Sequence, residues 1–398
     1  SFYTKGLLAA EVAKDGAGRV FVTKQYEYAV KEIKPAQNLW LYEVKHPCLM
    51  KETDRYYEGY ASPVEHVREY EYDEYGNVVR YADKGNTATA DDDVIARIEY
   101  LRIPEKYIMD RPQTILVEDA SGKSLRQRVG TYNEKGNLTR LRLFGTPSGY
   151  ATYDFSYDGY GNLALVKEPA GASGQSYYVA YEYDEATRTY ITKTTDAHGY
   201  SSSASYDVRY GVPLWTKDIN GTSFQYSYDG FGRMVRLWGP YDMESGRAAI
   251  EVQYIPASLD SEGNIVRPQG TITYNRSGGG YNETVTVVRY ADGLGRELAV
   301  KASACVNGTY GFTVSGAKQY DAMGRVAAEG KPAFVEGERL EYTSVQMRYP
   351  TYHEYDAMGR KVKTAYPDGG IVTVRYASTG VALVEKITDQ EGGVKCIA

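Results

Sequence analysis

The chain reads as all-β, a long antiparallel sheet ribbon of stacked hairpins running continuously over residues 1–398. Three observations predict it. Tetrads with Asp or Asn first and Gly fourth recur from end to end, thirteen of them named below. Stretches that alternate apolar and polar residues flank most copies, the period that puts one set on one face of a strand. Tyr, a strand former with a large ring and a hydroxyl that needs a partner, occurs 41 times against 8 Phe and 3 Trp.

The full signature is Tyr-Asp-x-x-Gly followed by Arg or Asn. It stands at Tyr72, Asp73 and Gly76; at Tyr157, Asp158 and Gly161; at Tyr228, Asp229 and Gly232; at Tyr320, Asp321 and Gly324; and at Tyr355, Asp356 and Gly359. Asn replaces Asp in the copy with Tyr132, Asn133 and Gly136. Degenerate copies begin at Asp15, Asp119, Asp196, Asp218, Asp260, Asp292 (with Gly295) and Asp389. The repeat is weaker over residues 1–130 and clearer over 131–398, and it leaves no room for an unrelated central domain.

Each position has a physical task in a hairpin loop made of a type I turn and a bulge. The Asp carboxylate accepts backbone N–H groups two or three positions on, and Gly takes the left-handed conformation without steric cost. Strands lead into the turns, as at Tyr70-Glu71-Tyr72 and Phe224 to Tyr228, and return from them, as at Asn77 to Tyr81, Arg233 to Leu237 and Arg360 to Lys363. From Asp229 onward the signals recur at about 30 residues, a length that suits two hairpins. Turns are therefore expected on the opposite edge, at Pro169-Ala170-Gly171, Pro240-Tyr241-Asp242, Lys331-Pro332 and Pro367 to Gly370. Asp93 to Leu101 is the one stretch whose apolar spacing fits helix as well as strand.

Composition narrows the function. Net charge is −6 and the 46 basic residues are scattered among acidic ones, which argues against nucleic acid as a partner. No apolar run reaches the length of a membrane span. Three Cys, at 48, 305 and 396, are too few and too far apart for a disulfide framework or paired zinc ligands. The first residue is Ser and nothing resembling a terminal cap precedes Ala398, so the chain is expected to be a piece of a longer polypeptide.

The signature resembles the YD repeat of the Rhs family. The order Tyr107 to Pro112, Val117 to Leu125 and Tyr132 to Thr139, with Tyr3 to Leu8 before it, is similar to the region behind the propeller in the B component of Tc-type insecticidal toxins and SpvB-like proteins. The resemblance covers essentially the whole chain. It implies part of a curved β-cocoon shell that holds a C-terminal toxin cargo, with the remainder of its polypeptide and a pore-forming delivery subunit as partners and a secreted or cell-surface bacterial location. Neither the self-cleaving segment that closes such shells nor a toxin or propeller is found in the chain.

Catalytic and metal constellations are sparse. His46, His66, His198 and His353 lie in unrelated contexts, and no Gly-x-Ser-x-Gly elbow is present. His46-Pro47-Cys48 offers two soft ligands without a second pair, and the run Asp91 to Asp93 lacks the surrounding oxygens of a calcium loop. Ser277 to Gly280 is Gly-rich but has neither the Lys nor the helix of a phosphate cradle. The sequons at Asn137, Asn220, Asn275, Asn282 and Asn307 use ordinary turn vocabulary. No cofactor and no catalytic or metal residue is assigned. The expectation is a non-catalytic wall; the alternative is a cell-surface adhesin or carbohydrate-binding array whose Tyr rows face glycans.

Overall fold

The computed structural model describes residues 2–33, 44–146, 149–171, 173–277, 284–337, 347–378, 383–389 and 391–397. Gly278 to Gly280 and Asn282 lie outside them. The described elements are strands, with two single 3-10 turns at Phe2–Thr4 and Pro104–Lys106. Asp93 to Leu101 resolves as strand, inside Val94–Ile103, where a neighbour on each side supplies its backbone partners.

Twenty-three strands form one sheet. Chain order is ladder order: Ala10–Lys14 pairs with Val20–Ile33, which pairs with Val44–Tyr56, and so on through Glu297–Val306 and Thr309–Ser315, every pair antiparallel. A short hairpin, Ser258–Leu259 with Ile265–Arg267, bulges out between two neighbouring strands. The last strand of the large sheet is Ala333–Glu336. A second sheet of seven strands runs from Lys318–Tyr320 to Val394–Ile397. The ladder thus breaks once, and side chains bridge the break: Tyr320 donates its hydroxyl to the Glu297 carbonyl at 2.7 Å, and Lys318 pairs with the Glu297 carboxylate at 3.1 Å.

A meander has two rims, because successive turns fall on alternate edges. One rim carries the turns at Asp15, Asp119, Asp196 and Asp218 and the loop Tyr57 to Tyr60. The other carries those at Asp73, Asn133, Asp158, Asp229 and Asp292. This explains the two grades of repeat: the six full copies and Asp292 share one rim, and most degenerate copies sit on the other. Solid packing is modest, as expected of a wall one sheet thick, and the tightest cluster is Ile272, Val288 and Tyr290.

Candidate functional site

All thirteen tetrads share one geometry. The Gly N–H donates to the Asp or Asn carbonyl three residues back, and the Asp or Asn N–H donates to the carbonyl of the residue after Gly. Gly sits at positive φ, +86° at Gly76 and +79° at Gly359, and the ladder slips by one residue beside each full signature of the large sheet. The side-chain oxygen of the first residue accepts N–H groups from two and four positions on, as Asp73 does from Tyr75 and Asn77 at 2.9 Å each. Sequence reasoning placed these donors two or three positions on. The left-handed Gly turns the chain so that the fifth N–H, not the fourth, points back at the carboxylate. Two turns of the same hydrogen-bond pattern lack Asp at the first position: Gly171 to Gly174 and Tyr366 to Gly369. Their readable signal is the Gly in fourth place.

The Tyr of the signature is half-buried, and its hydroxyl is consumed by the backbone instead of facing an open cavity. Tyr72 donates to the Leu49 carbonyl, Tyr132 to Pro112, Tyr157 to Leu138, Tyr228 to Pro213 and Tyr355 to Val326, at 2.6–2.9 Å. Tyr100, Tyr183 and Tyr254 make the same bond to Val78, Leu163 and Met234 without belonging to a full signature. In most of these bonds the acceptor is the first or second residue of the strand that returns from the preceding turn. The hydroxyls stitch hairpin to hairpin where the ladder has ended.

The residue after Gly continues the row. Arg233, Arg296, Arg325 and Arg360 each reach back to the Asp of their own tetrad, at 2.6–2.8 Å from Nε, and lie over the Tyr ring of the next hairpin: Tyr254, Tyr320, Tyr355 and Tyr376. A guanidinium held between a carboxylate and an aromatic face satisfies both its charge and its flat surface. Where Asn takes this place, its amide also donates to its own Asp and, in place of the aromatic ring, to a backbone carbonyl: Asn77 to Asp73 and Met109, Asn162 to Asp158 and Arg188.

The two rims meet. Arg360, on the Tyr-bearing rim of the second sheet, forms an ion pair with Glu58, on the opposite rim of the large sheet, 302 residues earlier; the Glu58 side chain is 2% exposed. Beside it Arg375 donates to the Tyr60 hydroxyl at 2.6 Å. A groove of about 670 Å³ runs along this junction, lined by Asp15, Arg19, Glu58, Met323, Asp356 and Tyr376 among others. The sequence offers no signal for this pair, since neither partner's motif names the other.

A second cluster also escaped sequence reasoning. Arg68 bridges Glu52 at 2.8 Å and Asp54 at 3.2 Å, and His66 meets Asp83 at 2.5 Å. These residues sit at alternate positions of three neighbouring strands, so only strand pairing assembles them. Burial, with the hydrogen bond its hydroxyl gives Asp83, pushes Tyr81 up to about 12. Among the other residues singled out from sequence, His46 packs beneath Gly76, His198 lies between Tyr177 and Tyr200, and His353 contacts Thr364. Cys48 is buried, its thiol facing the His46 carbonyl, and Asp92 accepts the Asn86 N–H. Among the described residues no three His, Cys, Asp or Glu converge as metal ligands, and no helix is long and apolar enough to cross a membrane.

No family model and no curated protein matches the sequence. Solved structures do match in shape. The crystal structure of TcdB2-TccC3 without its hypervariable C-terminal region superposes with a TM-score of 0.71 at 12% identity, over 93% of this chain and 27% of that one. A Photorhabdus luminescens Tc holotoxin pore carrying a TccC3 point mutation gives 0.70 at 13% identity, again over 93% and 27%. The chain therefore spans about a quarter of the length of the chains it matches. With sequence identity so low, the likeness is one of fold: the chain shares with these Tc-toxin structures an all-β architecture dominated by a long antiparallel sheet.

Proposed function

We propose that the chain is a non-catalytic wall segment of a secreted bacterial toxin or effector shell, which encloses a C-terminal cytotoxic cargo until a pore-forming partner delivers it. The reading includes the expectation that residues 1–398 are one continuous stretch of a longer polypeptide, with the Tyr, Asp and Gly of each signature serving as its structural turns. One observation carries it: the ribbon coils until one rim seats on the other through Glu58 and Arg360. A sheet coiled in this way presents few free edges and separates an inside from an outside. The fold shared with TcdB2-TccC3 supports the same reading. Among the described residues, the polar rows on the rim are taken up by turn and clip bonds.

Limited proteolysis of the polypeptide that carries this segment tests the proposal. Sequence C-terminal to the shell should resist protease at concentrations that digest the same sequence expressed alone, and should become sensitive in the Arg360→Ala/Arg375→Ala background. Equal digestion of the free and the attached sequence rejects the container.

A further inference from the structure

The tripeptide Asn-Gly-Thr is written twice, at Asn220-Gly221-Thr222 and at Asn307-Gly308-Thr309, each time after a β-branched residue, Ile219 or Val306. Asn and Gly are exposed in both copies. An Asn followed by Gly is the pair in which the next backbone nitrogen most readily attacks the side-chain amide, because Gly has no side chain to hinder the approach. Neither sequence nor exposure separates the two copies. They differ in how the fold holds that nitrogen.

Asn220 and Gly221 complete the Asp218 tetrad. The Gly221 N–H donates to the Asp218 carbonyl at 3.1 Å, and the Asp218 carboxylate accepts the N–H groups of Asn220 and Thr222 at 2.9 and 2.8 Å. A fourth bond, from the Asp218 N–H to the Thr222 carbonyl at 2.9 Å, shuts the loop. The attacking nitrogen is engaged, and the peptides on both sides of it are fixed. Asn307 and Gly308 instead form the two-residue loop between Val306 and Thr309, both with left-handed backbone at φ +50° and +82°. Among the described residues nothing accepts the Gly308 N–H, and the Asn307 side chain makes no hydrogen bond. The space beside Gly308 is open, since a Cβ there would meet nothing within 4 Å.

We infer that Asn307 is a modification site, where the chain converts its own Asn to Asp and isoaspartate, and that the Asp218 turn spares Asn220. The Gly308 nitrogen attacks Cγ of Asn307 and closes a succinimide ring. Its proton passes through water to the departing amide nitrogen, which leaves as ammonia. Water then adds to either ring carbonyl and breaks its bond to the ring nitrogen, giving Asp or isoaspartate. One water enters and one ammonia leaves, with no oxidant or reductant. The product carries an added negative charge, and the isoaspartyl form puts an extra backbone carbon into a loop whose two residues match the strand twist. Each hydrogen bond that must open before the ring can close slows the reaction about fivefold, so the Asp218 turn should protect Asn220 at least tenfold.

Incubation of the 398-residue protein at about pH 8, followed by trypsin and separation of the aspartyl and isoaspartyl peptides, tests this. Peptide 302–318 carries Asn307 and peptide 218–233 carries Asn220. In the folded protein, conversion in 302–318 is expected to run at least tenfold faster than in 218–233, and in urea the two rates should agree within about twofold. Hydroxylamine, which cleaves succinimides, should cut the folded chain between residues 307 and 308 and leave the bond between 220 and 221 whole. Asp218→Ala, which frees the Asn220 and Thr222 N–H groups, should raise the Asn220 rate; if that variant does not fold, the comparison of folded with urea-treated parent decides alone. The inference is overturned by equal rates in the folded protein, by no conversion at Asn307, or by a difference that persists in urea, which would assign it to the flanking sequence instead of the fold.

Discussion

Arg360 holds Glu58 across 302 residues of sequence while also binding Asp356 and lying 3.8 Å from the centre of the Tyr376 ring. One guanidinium thus closes a local turn, stacks on the next hairpin and joins the two ends of the coil. Glu58 is buried and has a left-handed backbone (φ +55°), so its loop is shaped around the contact.

Removing one partner strands the other's charge. Arg360→Ala is expected to destabilise the protein by about 3 kcal/mol, because a buried carboxylate left alone costs more than the pair contributes. Glu58→Ala/Arg360→Ala should recover part of that loss in urea unfolding. A double variant that loses the sum of both single effects would show that the two residues are not coupled.

The Tyr clips predict a small, repeated effect. Tyr157→Phe deletes the hydroxyl that serves the Leu138 carbonyl and is expected to cost about 1 kcal/mol. Tyr107→Phe, at a position 95% exposed, should stay within about 0.5 kcal/mol of the parent. Equal behaviour of the two in denaturant melts would remove the stitching role.

Glycine positions separate strain from crowding. At Gly359 a Cβ would meet nothing within 4 Å, so Gly359→Ala carries only the left-handed penalty, about 1–2 kcal/mol. At Gly232 a Cβ would fall 2.8 Å from the Tyr210 ring, and Gly232→Ala should cost roughly 2–4 kcal/mol. The order of the two Tm values checks it.

Turn carboxylates set an acid limit. Hydrogen bonds from Ser121, Arg233 and Asn264 hold Asp119, Asp229 and Asp260 below the ordinary value of 3.8, and the Arg325 backbone N–H does the same for Asp321. A carboxylate depressed in the folded state binds its proton more readily when unfolded. Its stabilisation is therefore complete above about pH 4 and fades as pH falls through the lower folded values. Thermal melts should be flat from pH 7 to about 5 and drop steeply below 4. A melting temperature unchanged at pH 3 would show that these bonds contribute nothing.

The tetrad by itself determined the fold class, the antiparallel ladder and the position of thirteen turns, because Asp and Gly act within five residues and their chemistry is local. The 30-residue interval likewise disclosed that a second rim must exist. Only the tertiary structure decided which tetrads share a rim, that the Tyr hydroxyls stitch hairpins rather than line a cavity, and that Asp93 to Leu101 is strand. It alone also decided that Glu58 meets Arg360 and that Arg68 gathers Glu52 and Asp54. Those outcomes depend on the path of the coil and on which strands become neighbours, and a contact made across 302 residues leaves no periodicity in the sequence from which to read it.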